Sequence, residues 1–120
     1  TDGQGVQVVY DSVGKDTFDK SLNCLARLGY LVLYGQSSGV VPPIAPTILA
    51  NKSRFLTRPG LGDYTATRGE LLDRAGDVLT WVQSGELILR IGGTFSLSDA
   101  AQAHRELESR KTTGKLLLIP

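Results

Sequence analysis

The feature that most constrains this chain is an alternation. Short runs of β-branched and apolar residues trade places with stretches of helical period along all 120 residues. Val6-Gln7-Val8-Val9-Tyr10 follows a glycine and predicts a strand. Asp11-Ser12-Val13-Gly14 is the turn after it. Phe18, Leu22, Leu25 and Leu28 then recur at helical spacing, with Asp16 or Thr17 placed to cap the start and Gly29 to end it. Tyr30-Leu31-Val32-Leu33-Tyr34 is an unbroken apolar run, as expected for a strand covered on both faces. A loop rich in Gly, Ser and Pro runs from Gly35 to Pro46, and Pro46 can open a short helix through about Asn51. Arg54-Phe55-Leu56-Thr57 predicts a short strand, stopped by Pro59 and Gly60.

In the second half, Thr67 and Glu70 have the spacing of a capping box. Behind it Leu71, Leu72, Ala75, Val78, Leu79 and Val82 trace one face of a long helix ending near Gly85. Leu87 to Ile91 predicts a strand. Ser98 can cap another helix, with Ala100, Ala101, His104 and Leu107 inward and Gly114 breaking it. Leu116-Leu117-Leu118-Ile119 predicts a last strand. Strands alternating with helices argue for α/β architecture with mainly parallel pairing, at least through the first half. The internal boundary is expected in Gly60-Leu61-Gly62-Asp63 or in the long helix after it.

Composition excludes several classes. Hydrophobic residues make up 41% and charged residues 21%, which rules out simple disorder. Thirteen basic side chains face twelve acidic ones, so no strong field draws nucleic acid or an anionic membrane. No apolar stretch approaches the about 20 residues of a membrane-spanning helix. A lone Cys24 cannot make an internal disulfide, and its place in a helical pattern predicts a small buried apolar residue. A reducing, cytoplasmic setting is the simplest reading of that cysteine. The chain begins at Thr1 and contains no Met, which reads as a cut inside a longer protein, with a processed or engineered terminus as the alternative.

The candidate chemistry lies after the first two predicted strands, in Asp11-Ser12-Val13-Gly14 and Gly35-Gln36-Ser37-Ser38-Gly39. Ligands of parallel sheets collect beyond the carboxyl ends of the strands. Small residues let a flat ligand approach the backbone, and hydroxyls can bond phosphate or ribose; ordinary strand-to-helix turns would look the same. Gly35 to Gly39 also fits G-x-S-x-G, the nucleophile elbow of serine hydrolases, with Ser37 as nucleophile. That elbow needs a helix directly behind the serine, and Pro42, Pro43 and Pro46 resist one. The only histidine, His104, falls on an apolar helix face and reads as packing. There is no G-x-G-x-x-G and no Walker A motif, so no complete phosphate cradle is encoded. Asn51-Lys52-Ser53 fits a glycosylation pattern that means little without a secretory signal. Arg110, Lys111 and Lys115 flank Thr112-Thr113-Gly114, either as a solvated helix end or as a phosphate contact.

Several stretches together resemble the C-terminal portion of zinc-independent NADPH:quinone oxidoreductases of the medium-chain dehydrogenase/reductase superfamily. They are Val8-Val9-Tyr10-Asp11-Ser12-Val13-Gly14-Lys15-Asp16-Thr17, Tyr34-Gly35-Gln36-Ser37-Ser38-Gly39 and Phe55-Leu56-Thr57-Arg58-Pro59, then Tyr64-Thr65-Ala66-Thr67-Arg68, Ala103-His104-Arg105-Glu106-Leu107-Glu108 and Arg110 through Pro120. The resemblance runs nearly end to end, in order and at matching spacing. It implies that residues 1–64 are the second half of a Rossmann-type parallel sheet with helices. It implies that 65–120 are a crossing helix and the C-terminal return segment of a catalytic domain.

Family members move a hydride from NADPH to a quinone, and the resemblance implies cofactor contacts rather than catalytic or metal-binding residues in this chain. Ser12 and Val13 would lie beside ribose and diphosphate. Tyr34, Gly35, Gln36 and Ser37 would border the nicotinamide arm, with Ser38 near. Phe55, Leu56 and Thr57 would present backbone to the carboxamide, with Arg58 following and Arg110 as a further contact. The resemblance also implies a homodimer or higher oligomer through the edge strand Phe55-Leu56-Thr57, a quinone or similar electron acceptor, and little turnover by these 120 residues alone. A non-catalytic α/β dimerisation or interaction domain is the alternative reading.

Overall fold

A computed structural model describes residues 1–120. The chain divides into two compact units, Thr1–Ala66 and Thr67–Pro120. The first holds β1 (Val6–Asp11), α1 (Phe18–Asn23), β2 (Leu25–Leu33), two 3-10 turns (Pro46–Leu49 and Asn51–Ser53), β3 (Phe55–Thr57) and the short α2 (Leu61–Tyr64). The second holds α3 (Arg68–Ser84), β4 (Ile91–Ser96), α4 (Ala100–Glu108) and β5 (Lys115–Ile119). The architecture is α/β, and every strand pair is parallel, in the second unit as well as the first. No helix is long and apolar enough to cross a membrane.

In the first unit the sheet order is β1-β2-β3, so β1 and β3 are both edges. Register pairs Val9 with Leu31 and Leu31 with Leu56 on one face, and Tyr10 with Val32 and Val32 with Thr57 on the other. The first of these faces carries the core. Phe18 and Leu22 of α1 pack with Leu25, Leu31 and Leu33, bordered by Val9, Val41, Ile48, Leu49 and Leu56. The other face is bare: Tyr30 stacks on Phe55 at 4.4 Å between ring centroids, and Val8, Tyr10, Tyr30 and Phe55 are all exposed. The expectation of a strand buried on both faces is therefore corrected. Leu31 and Leu33 are buried but Tyr30 and Tyr34 are not, because α1 and the 3-10 turns cover one side only.

The predicted helix through Leu28 is also corrected. α1 ends at Asn23, and Leu25 to Leu33 is strand. Pairing with β1 outweighs the helical spacing: the Val6 amide donates to the Cys24 carbonyl at 2.9 Å, and two steps along β1 (Val6 to Val8) oppose five along β2 (Leu25 to Tyr30). The slack is taken up by Leu28 at φ 61°, so the left-handed residue is Leu28 and not Gly29. Cys24, expected buried, is exposed. Arg54 closes the far end of α1: its Nη1 donates to the Leu22 carbonyl at 2.9 Å and its Nη2 to the Ile48 carbonyl at 2.7 Å.

In the second unit the capping box forms as the sequence predicts. The Glu70 amide donates to Thr67 Oγ1, the Thr67 amide donates to Glu70 Oε2, and α3 ends on Gly85 in the left-handed region. The strand expected at Leu87 to Ile91 starts instead at Ile91. β5 offers partners only to Ile91–Ser96, and a side chain on Gly92 would overlap the Thr113 carbonyl. Two glycines at that approach hide the strand from propensity. α4 opens at Asp99 rather than Ser98 and ends at Glu108, well before Gly114. Ala103 is its buried residue, while Ala101, His104 and Leu107, expected inward, are exposed.

Candidate functional site

Three parallel strands end together, which places the segments following β1, β2 and β3 at one edge of the first unit. The first two segments are laced to each other. The Tyr34 amide donates to the Asp11 carbonyl at 2.9 Å, the Ser37 amide to the Ser12 carbonyl at 3.3 Å, and the Ser38 amide to the Val13 carbonyl at 2.9 Å. The Ser38 hydroxyl donates to the same Val13 carbonyl at 2.7 Å and accepts from the Asp16 amide at 3.0 Å. In return the Lys15 amide donates to the Gly39 carbonyl at 3.2 Å. Such closeness needs glycine twice. A Cβ on Gly35 would overlap the Ser12 carbonyl, and one on Gly14 (φ 88°) would sit 2.9 Å from the Gly39 carbonyl.

Beneath this pair lies Asp11, 4% exposed at the end of β1. Its Oδ1 accepts from the Val13 amide at 2.8 Å and the Gly14 amide at 3.0 Å. Its Oδ2 accepts from the Thr17 hydroxyl at 2.8 Å and the Ser21 hydroxyl at 2.7 Å. Burial pushes this carboxyl up. The hydrogen bonds from the Gly14 amide, Ser21, Thr17 and the Val13 amide outweigh burial and hold it below the ordinary carboxylate value. Thr17 occupies the N-cap position of α1, yet its hydroxyl serves Asp11 and not the helix.

The sequence-predicted residues separate into groups. Ser12, Val13, Gly35, Ser37 and Ser38 come together through the bonds above, and Gln36 turns the second loop by accepting from the Gly39 amide at 2.9 Å. Tyr34 and Thr57 line an open cleft of about 750 Å³ with Tyr10, Val32, Pro59, Leu61 and Tyr64. Phe55 lies on the bare sheet face, while Leu56 packs against the core and can offer a ligand only its backbone. Arg58 is exposed and donates to the Pro59 carbonyl at 3.2 Å. Arg110 belongs to the second unit, exposed just past α4 at φ 59°.

Asp11 falls in the candidate turn and Thr17 at the expected cap, but sequence reasoning gives neither a part in joining the loops, and it names Ser21, Tyr10, Pro59, Leu61 and Tyr64 for no site role. An Asp at a strand end followed by x-x-Gly is the available signal for the group around Asp11, since an Asp side chain bonds backbone two residues on. The cleft set is assembled from separate elements and carries no local signal. No helix follows Ser37 until the 3-10 turn at Pro46, so the hydrolase elbow is not built.

A profile of the family described as zinc-binding dehydrogenase matches residues 1–118. A quinone oxidoreductase of Pseudomonas aeruginosa is 44% identical over 121 residues, covering 100% of this chain and 37% of its own length. A 2-haloacrylate reductase of a Burkholderia species is 41% identical over 122 residues, covering 100% of this chain and 37% of its own. The crystal structure of Escherichia coli quinone oxidoreductase complexed with NADPH superposes with a TM-score of 0.89 at 43% identity, covering 99% of this chain and 37% of that one. The chain thus spans little more than a third of the length of these relatives. Despite the family's description, no group of three or more His, Cys, Asp or Glu comes together that could hold a metal ion, so the donors of this chain do not fit zinc. With parallel α/β units, interlocked strand-end loops and a profile match over nearly every residue, the chain belongs to the zinc-binding dehydrogenase family.

Proposed function

We propose that this chain supplies one wall of an NADPH site in a quinone reductase, the remainder of that site coming from polypeptide outside these 120 residues. The observation that carries the reading is the interlocking of the Ser12–Gly14 and Tyr34–Gly39 loops beyond the carboxyl ends of β1 and β2. Two backbones held close by Gly14 and Gly35 offer a surface without bulky side chains, and the Ser12 and Ser37 side chains are exposed beside it. Those features fit a dinucleotide. Ser12 and Val13 would meet ribose and diphosphate, though the Val13 amide is engaged by Asp11 and its carbonyl by Ser38, which leaves its side chain to serve. Tyr34, Gly35, Gln36, Ser37 and Ser38 would border the nicotinamide arm, Phe55, Leu56 and Thr57 the carboxamide, with Arg58 and Arg110 on charged groups.

When bound, NADPH supplies the hydride. The protein's share is orientation and exclusion of water, which contribute several kcal/mol towards a barrier. No side chain here is assigned as a general acid, and this chain is read as bringing no zinc ligands of its own. The acceptor class is a quinone or a similarly electron-poor compound, consistent with relatives named quinone oxidoreductase and 2-haloacrylate reductase. Residues 1–64 are read as the second half of the dinucleotide-binding domain and 65–120 as crossing helix and return segment. β3, an edge in the first unit, would pair with a second copy across a two-fold axis. The setting is read as cytoplasmic.

Titration of the chain with NADPH, alongside a quinone-reduction assay, tests the reading. Weak binding that falls when Ser37 or Arg110 is replaced by Ala is expected, with no turnover. Rates like those of a whole quinone reductase would contradict the wall-only role. Binding indifferent to both substitutions would favour a non-catalytic interaction domain.

A further inference from the structure

A buried carboxylate without a cation is costly, and Asp11 is one: every group that bonds it is an amide or a hydroxyl. The bonds do more than satisfy the charge. By taking the Val13 and Gly14 amides inward, Asp11 fixes the peptide planes of Ser12 and Val13, whose carbonyls receive the Ser37 amide, the Ser38 amide and the Ser38 hydroxyl. No side-chain hydrogen bond of Asp11 reaches the second loop, yet three of the four links to Ser37 and Ser38 pass through a peptide that its carboxylate orients, the fourth being the Asp16 amide on the Ser38 hydroxyl.

We propose that Asp11 is a positioning residue that makes the two strand-end loops one rigid surface, so that Ser12, Gly35 and Ser37 are presented together to a dinucleotide. The first part of this stands on the hydrogen bonds alone. The last part rests on the NADPH reading above. Asn is the conservative replacement: its Oδ1 still accepts from both amides, and its Nδ2 can donate to hydroxyls of Thr17 and Ser21, which rotate to accept.

Amide hydrogen exchange on the 120-residue chain, followed residue by residue by NMR, gives the test. Asp11→Ala should speed exchange at Ser37 and Ser38 by at least about tenfold, the equivalent of one charge-assisted bond, while Leu31 and Val32 change little. Asp11→Asn should restore protection to within about threefold. A uniform rise across the unit, or a selective rise that Asn fails to rescue, would overturn the proposal. Where Asp11→Ala does not fold, Ser38→Ala carries the test. Coupling is reciprocal, so it should loosen the Val13 and Gly14 amides, which bond Asp11 and not Ser38. Unchanged exchange there means independent loops and rejects the idea. NADPH affinity is measured on the same variants by nucleotide fluorescence. Loss in Asp11→Ala with recovery in Asp11→Asn supports the presentation role. Selective exchange changes with unchanged NADPH affinity would remove that role and leave the mechanical coupling. A wild-type chain that ignores NADPH would sink the cofactor reading instead.

Discussion

Asp11 and Arg110 are among the residues held in conformations or environments that ordinary packing would avoid. Asp11 is buried and its pKa lies below the usual carboxylate value. A carboxylate whose folded value is lowered contributes stability above its unfolded value, and that contribution disappears as pH falls through the folded one. Unfolding by urea across about pH 2 to 6 should therefore lose midpoint on the acid side, and Asp11→Asn should flatten that loss. An unchanged acid slope in Asp11→Asn would mean other carboxylates set it. Arg110 sits at φ 59°, where an L residue is strained by about 1–2 kcal/mol. Arg110→Gly should raise the stability of the second unit by about 1 kcal/mol while weakening NADPH binding. A gain in stability with unchanged affinity would take Arg110 off the cofactor.

At the scale of elements, one short helix depends on one side chain. α1 is six residues long, too short to persist alone, and its last turn is held by Arg54, which bridges the Leu22 and Ile48 carbonyls. Arg54→Ala leaves both carbonyls without that donor and should cost about 2–3 kcal/mol by chemical denaturation. A change under about 0.5 kcal/mol would show that water replaces the guanidinium at no cost. α3 differs: seventeen residues carry their own capping box and left-handed glycine stop, so its ends were readable from Thr67, Glu70 and Gly85. β2 was half readable. Its apolar run announced a strand, but its first residues, Leu25 to Gly29, fit a helix equally well until β1 supplied partners.

For the molecule as a whole, surface is the main fact. The chain exposes 9053 Å². Two independent compact units of about half its 12.9 kDa each would expose about 7,600 Å². The surplus includes Tyr10, Leu61, Leu79 and Ile88, all more than two-thirds exposed, on a chain with a net charge of only +1. Weak repulsion and uncovered apolar surface favour association. Light scattering should show apparent mass rising with concentration, and an environment-sensitive dye should bind the native chain. A compact monomer at high concentration would contradict both that expectation and β3-edge pairing.

What the sequence determined by itself was local. The strand after Gly5, the stop at Gly85, the turn following each of the first two strands and the α/β alternation are written in neighbouring residues, because caps, turns and periodicity act over a few positions. Tertiary structure alone decided where pairing begins and what each face meets. Leu25 became strand because Val6 lay beside it, Ile91 rather than Leu87 opened β4 because Lys115 lay opposite, and Tyr30 stayed exposed because no described element covers that side of the sheet. The role of Asp11 was legible as a turn but not as a link between loops, since Ser38 is 27 positions away in sequence and is joined to it through the Val13 peptide rather than directly. A hydrogen bond between distant segments depends on how the chain returns, which no local pattern records.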